Sequence, residues 1–206
     1  MVGQALASKL ASIGHDVMMG ARSAGNDKAA AWAAAHQGKV GSFADAARHG
    51  EVVINATLGG AALDALRAAG AANLAGKVLI DVANPLDFSR GMPPSRSIVN
   101  TDPLGEAVQR EFPHARVVKT LNTMSCMVMV DPARVPGVHH VFVSGNDAAA
   151  KATARGLLGE FGWAAERVVD LGDITTTRGT EQLLPIWIRP WGALGTPDFN
   201  FAIVKA

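Results

Sequence analysis

The sequence predicts an α/β chain built on a doubly wound, mostly parallel sheet. Three observations carry that reading: short Val- and Ile-rich runs recur along the chain, Ala-rich stretches of helical character separate them, and the runs are too short to cross a membrane. Strands covered on both faces read as continuous apolar segments, and parallel neighbours need a crossover of about a dozen residues, usually a helix. Right-handed crossovers then leave ligands outside the carboxyl ends of the strands.

The elements follow in order. Gln4 to Ile13 sets Leu6, Leu10 and Ile13 on one helical face, and Gly14 closes the run as a glycine suited to a left-handed helix terminus. His15 to Met19 reads as a strand, Lys28 to His36 as a helix, Val52-Val53-Ile54 as a strand and Ala61 to Ala69 as a helix starting near Gly60. Val78 to Val82 is the next strand; after a loop come a helix over Leu104 to Glu111 and a strand over Arg116 to Thr120. Beyond Asp131-Pro132, a strand from His140 to Gly145, a helix from Asp147 to Phe161 and a strand from Arg167 to Leu171 are expected to extend the same sheet. Thr175 to Leu194 reads as a helix broken by Pro185 and Pro190, and Phe199 to Val204 as either a closing strand or a further helical turn. A single domain over residues 1–206 is expected, with a helical extension from about residue 175 to 206.

Composition narrows the function classes. The chain has 206 residues, a formal net charge of +1 and scattered basic residues, which excludes the electrostatic footprint of a nucleic-acid binder. Cys126 is the only cysteine, so no intrachain disulfide forms, and no stretch has the length of a membrane helix or the apolar centre of a signal peptide. A cytoplasmic protein acting on a small molecule, with no membrane or nucleic-acid partner, is the expectation.

The segment around Met1-Val2-Gly3 reads as the end of a dinucleotide-binding fingerprint, a strand followed by G-x-G-x-x-G and a helix whose first amides face the pyrophosphate. Gly3 takes the place of the third glycine, and the first strand and Gly-rich turn are missing from this chain. The fold expected is therefore Rossmann-like, lacking its usually central first strand, through either an upstream start or a lost segment of about ten residues. With the chain starting at Met1, its α-amino group adds positive charge at the helix N-terminus.

Strand ends supply the remaining candidates. An acidic residue after the second strand selects NAD, whereas an arginine accommodates the 2′-phosphate of NADP. No acid lies between Val17 and Asn26, and Arg22, Ser23 and Lys28 offer a planar fork, a hydroxyl and a mobile charge, so NADP(H) is favoured. Ala56-Thr57-Leu58, followed by Gly59-Gly60, is a small-residue turn that lets backbone approach a flat ligand. Asn84-Pro85 ends the next strand, where Asn84 either offers an amide to a nicotinamide or caps the turn.

Lys119-Thr120-Leu121-Asn122-Thr123 ends the strand after that. Together with Met1-Val2-Gly3, Gly20-Ala21-Arg22-Ser23 and Asn84-Pro85-Leu86, it makes the chain resemble the NADPH-dependent oxidoreductase family typified by the deazaflavin (coenzyme F-420) dependent NADP reductases, over almost its whole length. The resemblance implies that Arg22, Ser23 and Lys28 hold the 2′-phosphate, that Ala56, Thr57 and Leu58 line the path from adenine to nicotinamide, and that Asn122 and Thr123 lie near the nicotinamide and the acceptor ring. Asn122 replaces a histidine of the deazaflavin reductases, which leaves a deazaflavin, a flavin or another planar co-substrate open as acceptor.

Other chemistry is absent from the sequence. His139 and His140 enter a strand, where neighbouring side chains point to opposite faces and cannot converge on one metal. Cys126, amid methionines, is read as a small buried hydrophobe rather than a reactive thiol, and Trp187, Arg189 and Trp191 as docking residues of a terminal helix or a homodimer interface rather than a substrate-stacking set. Hydride transfer between a nicotinamide and a planar acceptor needs stacking and exclusion of water more than an acid/base dyad. The expectation is an NADPH-dependent oxidoreductase. An NADP-binding module or redox sensor without turnover is the alternative, and a dehydrogenase of the β-hydroxyacid or imine-reductase type the third reading.

Overall fold

The computed structural model describes the chain except for residues 88, 90, 92–93 and 97–101. Helix α1 (Val2–Ser12) ends at Ile13, and Gly14 turns left-handed at φ +97°, as the sequence predicts. Strand β1 (Met18–Ala21) starts three residues later than expected, because Asp16 turns outward to bind Lys39 and the ladder opens where Met18 meets Lys39. Helix α2 (Asp27–His36) follows, capped by Asn26. Strand β2 (Lys39–Ser42) and α3 (Phe43–His49) come next; neither is assigned by periodicity, the strand holding two polar residues and a glycine and the helix being barely two turns, held by a Ser42–Asp45 capping box.

Strand β3 (Val52–Asn55) leads through a 3-10 turn over Gly59–Ala61 into α4 (Ala62–Ala69) and the single turn α5 (Ala71–Leu74). After β4 (Val78–Asp81), a two-residue pair β5 (Leu86–Asp87) and β6 (Ser95–Arg96) occupies part of the expected loop. Helix α6 (Leu104–Glu111) and β7 (Arg116–Thr120) lie where the sequence places them; a short α7 (Cys126–Val130) follows. Strand β8 (Val141–Gly145), α8 (Ala148–Glu160), β9 (Val168–Asp170) and α9 (Thr177–Leu194) complete the chain.

Helix α9 is continuous, which corrects the expectation of a break at the prolines. Pro185 is exposed and Pro190 half-exposed, while Leu184, Trp187 and Ile188 are buried, so packing on one face outweighs two lost backbone bonds on the other. The tail after it is neither strand nor helix. It is irregular chain fastened to the segment before β8 by the His140 amide donating to the Phe201 carbonyl at 3.0 Å.

The sheet order is β3-β4-β7-β8-β9, parallel except between β7 and β8, with β1 and β2 forming a separate parallel pair. Strands β8 and β9 do extend the sheet, running opposite to the other three. Among the described residues no ladder joins the pair to the main sheet, and two helices bridge them instead. Helix α1 sets Leu6 into the cluster holding Ile80 and Val118, while Ala7 packs with Trp32 of α2, whose indole donates to Ser8 Oγ at 2.9 Å. Helix α3 lies on β1 so closely that a Cβ at Gly20 would stand 2.9 Å from that of Ala46, and its Ala47 joins the core with Leu79 and Val117.

Register decides where polar groups meet. Asn55 is level with Asp81, Asp81 with Lys119, and Lys119 with Ser144, so four polar residues form one row across four strands of an otherwise apolar sheet. All four are at least nine-tenths buried.

Candidate functional site

The carboxyl ends of β1, β3, β4 and β7 carry the residues singled out from sequence. Arg22, Ser23 and Lys28 follow β1 and lie exposed; among the described residues neither cation makes an ion pair or hydrogen bond, and Asp27 is not paired with Lys28. Two cations and a hydroxyl, none of them engaged by an acid among the described residues, suit a phosphate dianion. Met1 is exposed and Val2 and Gly3 half-buried at the start of α1, whose first-turn amides have no intrahelical partner. A Cβ at Gly3 would stand 3.7 Å from that of Ala56, so the beginning of α1 lies against the turn after β3.

That turn is built on a polar interior. Thr57 donates its hydroxyl to Asn55 Oδ1 at 2.7 Å and its amide to the same oxygen at 3.3 Å, while Ala56 is half-buried and Leu58 exposed. Gly59 comes next, and here only glycine fits: a Cβ would lie 2.1 Å from the carbonyl oxygen of Asn84. The turns after β3 and β4 therefore interlock through backbone.

The turns after β4 and β7 are joined by an amide pair. Asn84 Nδ2 donates to the Asn122 carbonyl at 2.7 Å, and Asn122 Nδ2 returns a bond to Asn84 Oδ1 at 3.1 Å. Leu121, just before, is held at φ +62°, a region costly for a branched side chain and a mark of a turn fixed by its surroundings. Asn122 and Thr123 are 1% exposed, so they form the floor of the site, and half-buried Asn84 is its accessible part, while Pro85 beside it is buried.

Beneath these turns lies a buried ionic cluster that the site reading from sequence missed. Lys119 Nζ donates to Asp81 Oδ2 at 2.7 Å, to the Ala83 carbonyl at 2.5 Å and meets Glu181 Oε1 of α9 at 2.9 Å. Glu181 also accepts the Leu104 and Gly105 amides that open α6, both at 2.9 Å, and Asn55 Nδ2 donates to Asp81 Oδ1 at 2.8 Å. Burial disfavours the Lys119 ammonium, but Asp81 first and then Glu181 outweigh it and hold its pKa above the usual lysine value. The available signal was a charge inside each of two apolar strand runs, Asp81 in Val78 to Val82 and Lys119 in Arg116 to Thr120. Charges are buried in a sheet core only when paired.

Other candidates sort simply. Cys126 is buried, as expected. His139 and His140 are buried and hold the tail, Nδ1 of His139 at 3.0 Å from Asn200 Nδ2 and Nδ1 of His140 accepting the Ile203 amide at 3.0 Å. Trp187 stacks on Phe199 with ring centroids 5.2 Å apart, and the pair shares an apolar cluster with Leu86, so α9 and the tail dock beside the turn after β4. Among the described residues no group of His, Cys, Asp and Glu could hold a metal, and no helix is long and apolar enough to cross a membrane.

Fold and strand order together define a Rossmann-like α/β protein with the turns singled out from sequence at the carboxyl edge of the sheet. The family model described as NADP oxidoreductase, coenzyme F420-dependent, matches residues 1–85. A solved structure from Arthrobacter sp. FB24, assigned as an F420-dependent NADP-reductase, is similar over 99% of this chain and 95% of its own, at 55% identity and a TM-score of 0.93. The chain belongs to the family of coenzyme F420-dependent NADP oxidoreductases. More distant structures share the fold: the hypothetical protein SMa0349 of Sinorhizobium meliloti at 21% identity and TM-score 0.65, covering 100% of this chain and 91% of its own. A Streptomyces aurantiacus imine reductase follows at 18% identity and TM-score 0.67, covering 94% of this chain but 60% of its own. No curated protein matches.

Proposed function

We propose that the protein is an NADPH-dependent oxidoreductase that transfers a hydride between NADP(H) and a planar acceptor such as a deazaflavin or flavin. The observation that carries the reading is that Arg22, with Ser23 just after β1, and Lys28 at the start of α2 are unpaired among the described residues. Family membership supports the reaction class, and the relatives' names support NADP as nucleotide.

In this reading Arg22 grips the 2′-phosphate with its fork, Ser23 adds a hydroxyl donor and Lys28 a point charge. The free amides at the start of α1 face the pyrophosphate, and the Ala56-Thr57-Leu58 turn lines the path toward the nicotinamide. Asn84, held by Asn122, presents amide groups at the floor, while Leu58 and the residues around Pro85 exclude water. The bound nicotinamide supplies the hydride; the protein supplies orientation and a dry surface. Nothing in this chemistry requires a proton donor on the protein.

Spectrophotometry at the nicotinamide band tests the proposal. NADPH is mixed with the protein and a panel of flavins and a deazaflavin, and oxidation dependent on protein and on one acceptor is the expected result. Tight NADPH binding with no turnover of any acceptor would instead assign a binding module.

A further inference from the structure

The buried row has a direction that chemistry fixes without ambiguity. Lys119 can only donate, and it donates to both carboxylates, whose oxygens can only accept. Asp81 Oδ1 therefore takes the amide nitrogen of Asn55, which settles which way that side chain faces and turns Asn55 Oδ1 toward Thr57. The single hydroxyl hydrogen of Thr57 is then committed inward at 2.7 Å. What Thr57 Oγ has left for a ligand is lone pairs alone.

We infer that Thr57 recognises a ribose hydroxyl of the bound dinucleotide as an acceptor, and that Asn55, Asp81 and Lys119 are positioning residues that impose this polarity. The inference rests on the oxidoreductase reading above. Phosphate oxygens, which need donors, are disfavoured at this spot, whereas a ribose hydroxyl has a hydrogen to give. Half-buried Thr57 sits in the turn that faces the start of α1 through Ala56 and Gly3, so the acceptor stands beside the helix terminus that suits the pyrophosphate. The two subsites then divide the labour: amides for phosphate, Thr57 for sugar. Glu181 fixes the far end, since it binds Lys119 and the first amides of α6 together and leaves the ammonium no other orientation.

Removing the inward acceptor is the test: Asn55→Ala takes away the oxygen to which Thr57 donates, and frees its hydroxyl hydrogen to swing outward. NADPH dissociation constants from fluorescence titration are measured for wild type, Thr57→Val, Thr57→Ser, Asn55→Ala and the double variant carrying Asn55→Ala with Thr57→Val. Thr57→Val is expected to weaken binding about five- to tenfold and Thr57→Ser less than about twofold, the range of one hydrogen bond. Asn55→Ala is expected to weaken it by a similar factor alone and by almost nothing in the Thr57→Val background, which is the signature of action through Thr57.

Equal losses in both backgrounds would show a general structural effect and overturn the inference, as would wild-type affinity in Thr57→Val. If Asn55→Ala does not fold, the two Thr57 variants decide without it. A wild-type protein that binds no NADPH overturns the oxidoreductase reading and this inference together; a wild type that binds, with no coupling to Thr57, overturns this inference alone.

Discussion

Lys119→Met isolates what the buried cluster does for stability. Methionine keeps most of the hydrocarbon stem and removes the cation, so Asp81 and Glu181 are left with hydrogen bonds from Asn55, Ala83, Leu104 and Gly105 but no counter-charge, both fully buried. Breaking a buried pair from one side costs about 3–5 kcal/mol, because the orphaned charge stays desolvated. At about 2.1 cal/mol/K per residue, a chain of 206 residues has an unfolding entropy near 430 cal/mol/K, which converts that loss to a fall in Tm of about 7–12 °C. Thermal melts followed by circular dichroism measure it. A loss under about 2 °C would refute the assignment of a charged buried cluster.

Gly59→Ala is expected to lower Tm by about 2–7 °C, since its Cβ would meet backbone at Asn84 and overpacking costs about 1–3 kcal/mol; Gly60→Ala, with open space around it, is the matched control and should melt like wild type. Arg22→Ala should raise the NADPH dissociation constant about tenfold or more and leave NADH binding unchanged, as expected of a contact to the 2′-phosphate alone, read by parallel titrations. His140 is pushed below its ordinary 6.5 by burial first, then by Arg167 and His139, and its Nδ1 must be unprotonated to accept the Ile203 amide. Its contribution to stability is therefore full above pH 6.5 and lost as pH falls below it, so wild type should lose more Tm between about pH 7.5 and 5.5 than His140→Asn does.

Much of the fold was legible because it rests on local pattern. Helices over 104–111 and 148–160, the strands over 52–55, 78–81 and 116–120 and the left-handed Gly14 are written in apolar runs, spacing and a single glycine. So were the strand-end turns, since small and polar residues after an apolar run have few other roles. Two elements stayed hidden for want of such a pattern: β2, with no apolar run of its own, and α3, short enough that its capping box matters more than its periodicity. The continuous α9 defeated local reasoning for the opposite reason, its prolines being overridden by the burial of Leu184, Trp187 and Ile188.

The sequence by itself therefore determined the α/β class, the order of most strands and helices, and the cationic end of β1. Only the tertiary structure decided what the polar residues in the strands do. Asn55, Asp81, Lys119 and Glu181 are separated along the chain by 26, 38 and 62 residues, and nothing local relates them. Strand register brings the first three into one row, and docking of α9 adds the fourth. The physical reason is that a charge in a strand is unfavourable until its partner arrives from elsewhere, so its meaning depends on register and packing, which are properties of the whole fold.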